Sequence, residues 1–167
     1  VSREIKDART PLVLWEALNE KLLAGLRSFA DTAVLISTRN NNLCKEPSGR
    51  INRQNSFFAI CNTLTLEHIP YKALVDKDIQ SSKLINKAKT IIMMNIGLIS
   101  DTEAENIREF VKDGGTLIAS AETSLYDQNG KMRKNFVLAD LFGCNYRQTV
   151  KGESTLMVTK KSPVTGN

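Results

Sequence analysis

Four short apolar runs punctuate the chain: residues 33–38 (A-V-L-I-S-T), Tyr71–Val75, residues 90–95 (T-I-I-M-M-N) and Thr116–Ser120 (T-L-I-A-S). Strict alternation would mark strands with one wet face. The runs at 33–38, 90–95 and 116–120 are instead continuously apolar at their centres, as strands buried on both faces are; Tyr71–Val75, interrupted by Lys72, reads as a second, shorter strand. Between them the apolar positions recur at helical spacing. Phe57, Ile60, Cys61 and Leu64 predict a helix ending near Glu67, with Pro70 blocking its continuation. Asp78, Ile79 and residues 81–86 predict a small helix or turn. Ser100-Asp101-Thr102-Glu103 reads as a capping box: the serine side chain can bond the Glu103 N–H while the glutamate bonds back. Ala104, Ile107, Phe110 and Val111 form the apolar face of the helix that follows, and Gly114-Gly115 ends it. Residues 136–142 predict a short helix stopping at Gly143.

Strand and helix therefore alternate. This implies an α/β, doubly wound, flavodoxin-like and mostly parallel sheet with right-handed crossovers and strand order 2-1-3-4. An N-terminal helix precedes the first strand: Thr10-Pro11 opens it, and Leu14, Leu18, Leu22 and Leu26 form one stripe beside Trp15 and Phe29. Residues 1–31 thus read as a helical lead-in and residues 32–167 as the α/β domain. Residues 39–53, with Asn40-Asn41-Asn42, Pro47 and Gly49, read as a long polar loop. Residues 156–159 offer one more strand, with a turn at Pro163 and Gly166.

Composition alters this picture little. The 167 residues, 41% hydrophobic and 25% charged, suit one ordinary globular domain. The net charge of +5 is spread from Arg3 through Arg39, Arg50 and Arg133 to Lys161, not gathered on one segment, so nucleic acid is not an expected partner. Cys44, Cys61 and Cys144 match neither a disulfide framework nor a zinc pattern, and read as buried or partly buried thiols. No run approaches membrane-spanning length, so no membrane partner is expected. The chain starts at Val1 rather than Met, which points to a processed protein or a fragment; the compartment stays open.

In this architecture ligands gather beyond the carboxyl ends of the strands, at the switch point between strands one and three. That rule nominates Ser37, Thr38, Arg39 and Asn40 after strand one, Asn95 and Gly97 after strand three, and Glu122 and Thr123 after strand four. Arg39, Asn40, Asn95 and Glu122 are the candidate lining of a polar crevice for a sugar, a carboxylate or a partner loop. Capping and loop solvation account for the same residues. Nucleophile signatures are absent: Ser120-Ala121-Glu122-Thr123-Ser124 has no glycine-flanked Ser or Cys on a strand-to-helix turn. Cys144 follows the last helix and lacks that context. His68 is the only histidine; it cannot build a histidine-based metal cluster and reads as helix-end polar packing. Asp76 with Asp78, and Glu103 with Glu105, read as caps and solvated helix faces. Neither a G-x-G-x-x-G nor a P-loop follows strand one. No catalytic residue, metal or cofactor is expected.

One resemblance can be named. The run from Phe110 through Asp113-Gly114-Gly115-Thr116-Leu117 to Ala119 resembles the helix–glycine–strand segment of the β-galactosidase trimerisation domain, of the class I glutamine amidotransferase-like superfamily. Residues 69–79, Leu98-Ile99-Ser100-Asp101 and the run from Phe136 through Leu138-Ala139-Asp140-Leu141-Phe142-Gly143 agree with it, so it covers roughly residues 33–159. That domain follows the catalytic barrel of family forty-two glycoside hydrolases. The resemblance implies a non-catalytic accessory and oligomerisation role, with a preceding catalytic domain and self-association, a trimer in the family, as partners. It implies walls around a neighbour's carbohydrate site and no catalytic residue here. The first loop matches no family motif, and the chain stops where the family domain has further strands, so the domain is expected to be incomplete at its C-terminus. Two other readings remain: a free-standing small-ligand or sugar-binding module, and an unrecognised hydrolase acting through Cys144.

Overall fold

The structure is a computed structural model; it describes residues 15, 18–19, 28–43, 49–81 and 88–148, with side chains from 55 onward in the second helix. In chain order the elements are β1 (Thr32–Ile36), α1 (Thr38–Leu43), α2 (Gly49–Leu66), β2 (Tyr71–Val75), α3 (Asp76–Gln80), β3 (Thr90–Met94), α4 (Asp101–Lys112), β4 (Thr116–Ser120) and α5 (Ala139–Phe142). Among the described residues the sheet has four strands in the order β2-β1-β3-β4, and every pairing is parallel. The architecture predicted from the four apolar runs is the one observed. The lead-in helix falls outside the described residues apart from Trp15, Leu18 and Asn19, and the strand expected at 156–159 falls outside them entirely.

Strand alternation divides the apolar residues between two faces. The first face carries Ala33, Leu35, Leu74, Ile91 and Met93, packed against Ile79 of α3, Ala104, Ile107 and Phe110 of α4, and Leu138 beside α5. The second face carries Val34 and Ile92, packed against Cys61 and Leu64 of α2. Each fully buried aliphatic side chain contributes roughly 1.5–3 kcal/mol.

The α4 unit forms as its sequence specifies. Ser100 Oγ accepts from Glu103 N at 3.2 Å, and Ser100 N donates to Glu103 Oε2 at 2.7 Å. At the far end Gly114 is left-handed (φ 93). Gly114 N donates to Val111 O and Gly115 N to Phe110 O, the paired bonds that close a helix. Gly115 is required by packing, since a Cβ there would lie 2.3 Å from Phe110 Cζ. The end of α2 uses the same motif without glycine: His68 is left-handed (φ 55), His68 N donates to Thr65 O, and Ile69 N to Leu64 O.

Several sequence expectations need correction. The polar loop of residues 39–53 contains α1 from its second residue onward and the start of α2. Ser37 caps α1, with its Oγ accepting from Asn40 N at 3.0 Å. The Asn40 amide is buried and bonded to neighbouring backbone, and such tertiary bonds outweigh the weak helix propensity of three asparagines. The helix predicted over 136–142 is helical only from Ala139. Cys61 is buried, but Cys144 is exposed. His68 is exposed and serves as a backbone-reversing residue rather than as polar packing. Glu103 does not sit on a solvated helix face: it is 1% exposed.

Candidate functional site

The carboxyl ends of the strands form a crest that gathers the nominated residues into two groups. One group spans β1, β3 and β4. Asn40 Nδ2 donates to Asn95 O at 3.2 Å, and Asn40 Oδ1 accepts from Leu98 N at 3.1 Å. Asn95 Oδ1 accepts from Glu122 N at 3.3 Å, and Glu122 Oε2 accepts from Tyr126 OH at 3.3 Å. Thr123 extends the chain of bonds: its Oγ1 accepts from Ile96 N and lies within donating distance of Met93 O and Ser120 O. These side chains fasten the three strand ends to the segments that follow them.

Arg39 belongs to the other group. Its backbone N–H donates to Asp76 Oδ2 at 3.2 Å. Its guanidinium turns toward β2 and α4, ion-paired with Glu103 and 3.7 Å from Asp76 Oδ1. Gln80 Nε2 also donates to Glu103 Oε1, at 3.3 Å. Burial makes this pairing consequential, because an ion taken out of water needs a partner. Glu103 is legible in the sequence as a cap and as a residue of a solvated helix face; its role as counter-ion to Arg39 has no local signal because the two residues are 64 positions apart.

Two recesses adjoin the crest. A small recess lies beyond the end of β1, lined mainly by Leu35, Ser37, Asn40, Phe57, Phe58 and Ile96. Of the four nominated lining residues only Asn40 reaches it. A wider groove runs along the outer side of β4, lined by Leu117, Ala119, Ala121, Phe136, Phe142 and Cys144 among others. Sequence reasoning missed this groove, which is assembled by the segment after β4 folding back onto it. Phe136 forms its wall through edge-on ring contacts with Phe142 and Tyr146, at 5.8 and 5.7 Å between centroids.

The strand ends carry backbone strain. Asn95 (φ 56) directly follows β3 and Ala121 (φ 53) directly follows β4, and the pairing of Met94 with Ser120 puts them side by side. A left-handed residue at the end of a strand is where a nucleophile elbow would present its hydroxyl or thiol. Here that position has only the methyl group of Ala121. His68 and Cys144 stand at opposite edges of the sheet, His68 beside Tyr71 of β2 and Cys144 beside β4. They cannot act as a pair. Among the described residues no three His, Cys, Asp or Glu side chains converge as metal ligands.

No known family profile matches the chain, and no curated protein matches it by sequence. Solved structures do share its fold. A β-galactosidase from Bifidobacterium adolescentis superposes with a TM-score of 0.59 at 15% identity, over 70% of this chain and 55% of that one. The catalytic mutant of Gan42B, a GH42 β-galactosidase from G. stearothermophilus, gives 0.58 at 20% identity, over 71% of this chain and 17% of that one. A β-galactosidase from Bacillus circulans sp. alkalophilus gives 0.57 at 22% identity, over 66% of this chain and 16% of that one. The chain thus spans about half of one of these chains and about a sixth of the other two, and the α/β fold it shares is consistent with a glycoside hydrolase-related domain.

Proposed function

We propose that this chain is a non-catalytic accessory domain of a β-galactosidase-type glycoside hydrolase, of the trimerisation-domain kind within the amidotransferase-like superfamily. In this reading residues 32–167 form the α/β unit and residues 1–31 lead into it. The unit contacts a catalytic neighbour or further copies of itself. The observation that carries the reading is the structural match to a limited part of much longer GH42 β-galactosidase chains. The crest supports it too, because its polar side chains hold backbone to backbone and its elbow position is an alanine.

Two measurements on the purified chain test this. Hydrolysis of a chromogenic β-galactoside should stay at the buffer rate, and light scattering should show self-association as concentration rises. Turnover abolished by Cys144→Ala would overturn the non-catalytic assignment in favour of a hydrolase. A monomer at every concentration would remove self-association and leave contact with a catalytic neighbour as the role.

A further inference from the structure

The turn that follows Tyr126 holds a pair of residues with chemistry of their own. Tyr126 bridges Leu98 on one side and Met132 on the other, so residues 127–131 leave the crest as a tight loop and return to it. Asp127 keeps that loop closed. Its Oδ1 accepts from Asn129 N and from Lys131 N, both at 2.9 Å. Its carbonyl accepts from Gly130 N at 3.1 Å, and its own N–H donates to Lys131 O at 3.0 Å. Gly130 is left-handed (φ 83), a backbone that favours a residue without a Cβ. Asn129 is exposed, and among the described residues it is bonded through its backbone N–H alone. Asn145 is exposed as well, but its Oδ1 accepts from Asn135 Nδ2 at 2.7 Å and a tyrosine follows it.

We propose that Asn129 is a self-modification site, at which the Gly130 amide nitrogen displaces ammonia from the Asn129 side chain, and that the Asp127 turn sets the rate. Gly130 N bonds to Asn129 Cγ and the Cγ–Nδ2 bond breaks. The Gly130 proton passes through solvent to the departing nitrogen, and ammonia leaves behind a five-membered cyclic imide. Water then opens either of the imide's two C–N bonds, giving aspartate or isoaspartate at position 129. Nothing is oxidised or reduced. The free carboxamide and the side-chain-less neighbour supply the electrophile and an unhindered nucleophile. The closed turn supplies the brake, because the nitrogen that must attack is the one donating to Asp127 O. Either product sets a new carboxylate close to Asp127. Isoaspartate also adds a carbon to the main chain inside a loop whose ends are fixed by the Tyr126–Met132 bridge, so its formation loosens this part of the crest.

Peptide mapping by mass spectrometry, on the full chain aged at mildly alkaline pH, tests the assignment. Aspartate and isoaspartate should accumulate at position 129 at least about tenfold faster than at position 145, since a following glycine leaves the attack unhindered. Asp127→Ala removes the carboxylate that closes the loop and should speed conversion at least about threefold by letting the loop open more often. Asp127→Asn keeps an acceptor oxygen in the same place and should restore the slow rate, which separates the turn's hydrogen bonds from the charge of Asp127. Conversion at position 129 no faster than at position 145 would overturn the site. An Asp127→Ala rate equal to or below that of the unaltered chain would overturn the role given to the turn.

Discussion

The two faces of this sheet are made from the same strands but secured by different means. The first face is covered by α3, α4 and the segment leading into α5, and its core runs without interruption from Leu74 to Leu138. Two ion pairs reinforce its rim, Arg39 with Glu103 and Arg108 with Asp140. Among the described residues the second face rests on one helix, with a small buried core of Val34, Cys61, Leu64 and Ile92. Large apolar side chains lie exposed around that core, including Phe58 (64%) and Ile118 (48%). A face finished by its own helices holds the fold together. Under the proposed accessory role, the side chains exposed on the second face among the described residues are the ones available to a neighbouring domain.

The sharpest test of this contrast uses adjacent residues. Ile91 is fully buried on the first face and Ile92 is 3% exposed on the second. Ile91→Ala should cost about 3–5 kcal/mol, near the top of the range for such truncations, because its cavity is walled by rigid neighbours. Ile92→Ala should cost about 2–3 kcal/mol, because α2 can settle toward the sheet. Urea unfolding of both variants reads the difference, and equal or reversed costs would break the comparison.

The next effect concerns the first face's buried charge. Glu103→Gln keeps an oxygen for the Ser100 N–H but leaves the Arg39 guanidinium without its closest carboxylate. The loss should be about 2 kcal/mol. It falls below the 3–5 kcal/mol typical of a broken buried pair because Asp76 stands 3.7 Å away and the Arg39 side chain is 18% exposed. Adding Arg39→Met to Glu103→Gln removes the charge left behind, so the double variant should cost less than Glu103→Gln alone. The opposite order would mean that the pair contributes net stability rather than mutual neutralisation.

What the sequence disclosed follows the same division. The apolar runs of β1, β3 and β4 and the capping box of α4 were legible because their causes are local: a continuous run of buried residues, and a serine three positions before a glutamate. The strand order followed from crossover handedness. The crest was harder to read. Asn40, Asn95 and Glu122 were nominated from their positions after the strands, but their bonds join residues tens of positions apart and have no periodicity. Residues 39–43 looked like a loop because asparagines cap and turn more often than they continue a helix. The buried partners of Asn40 and the Ser37 cap hold α1 together. The β4 groove had no local signal, because a returning segment builds it from Phe136, Phe142 and Cys144.

Ala121 offers a gentler perturbation of the first face at the head of that groove. Its φ of 53 is costly for a residue with a Cβ. Ala121→Gly should raise stability by about 0.5–1 kcal/mol, seen as a higher melting temperature, without altering Ile92 or the α2 core. A fall in stability would mean that the methyl group packs in the groove strongly enough to offset the strain.

The smallest effect is electrostatic and depends on pH. Arg108 Nε donates to Asp140 Oδ2 at 2.8 Å and Arg108 also bonds Val137 O, tying α4 to the segment that leads into α5. The Asp140 carboxyl is held below the usual carboxylate range, first by the hydrogen bond from Arg108, with burial opposing it. A carboxylate with a depressed pKa stabilises the fold above its unfolded pKa of about 3.9 and loses that contribution as pH falls through the folded value. The pair is open to water, with side-chain exposures of 28% and 53%, so its contribution is about 0.2–1 kcal/mol. Asp140→Asn should therefore lower the urea midpoint slightly at pH 7, and by progressively less as pH falls through the carboxyl's depressed folded value. A gap that persists unchanged into acid would show that the carboxamide disturbs packing beside α5. The second face, which has no comparable ion pair among the described residues, should show no matching acid-dependent difference when Leu64 or Ile92 is varied.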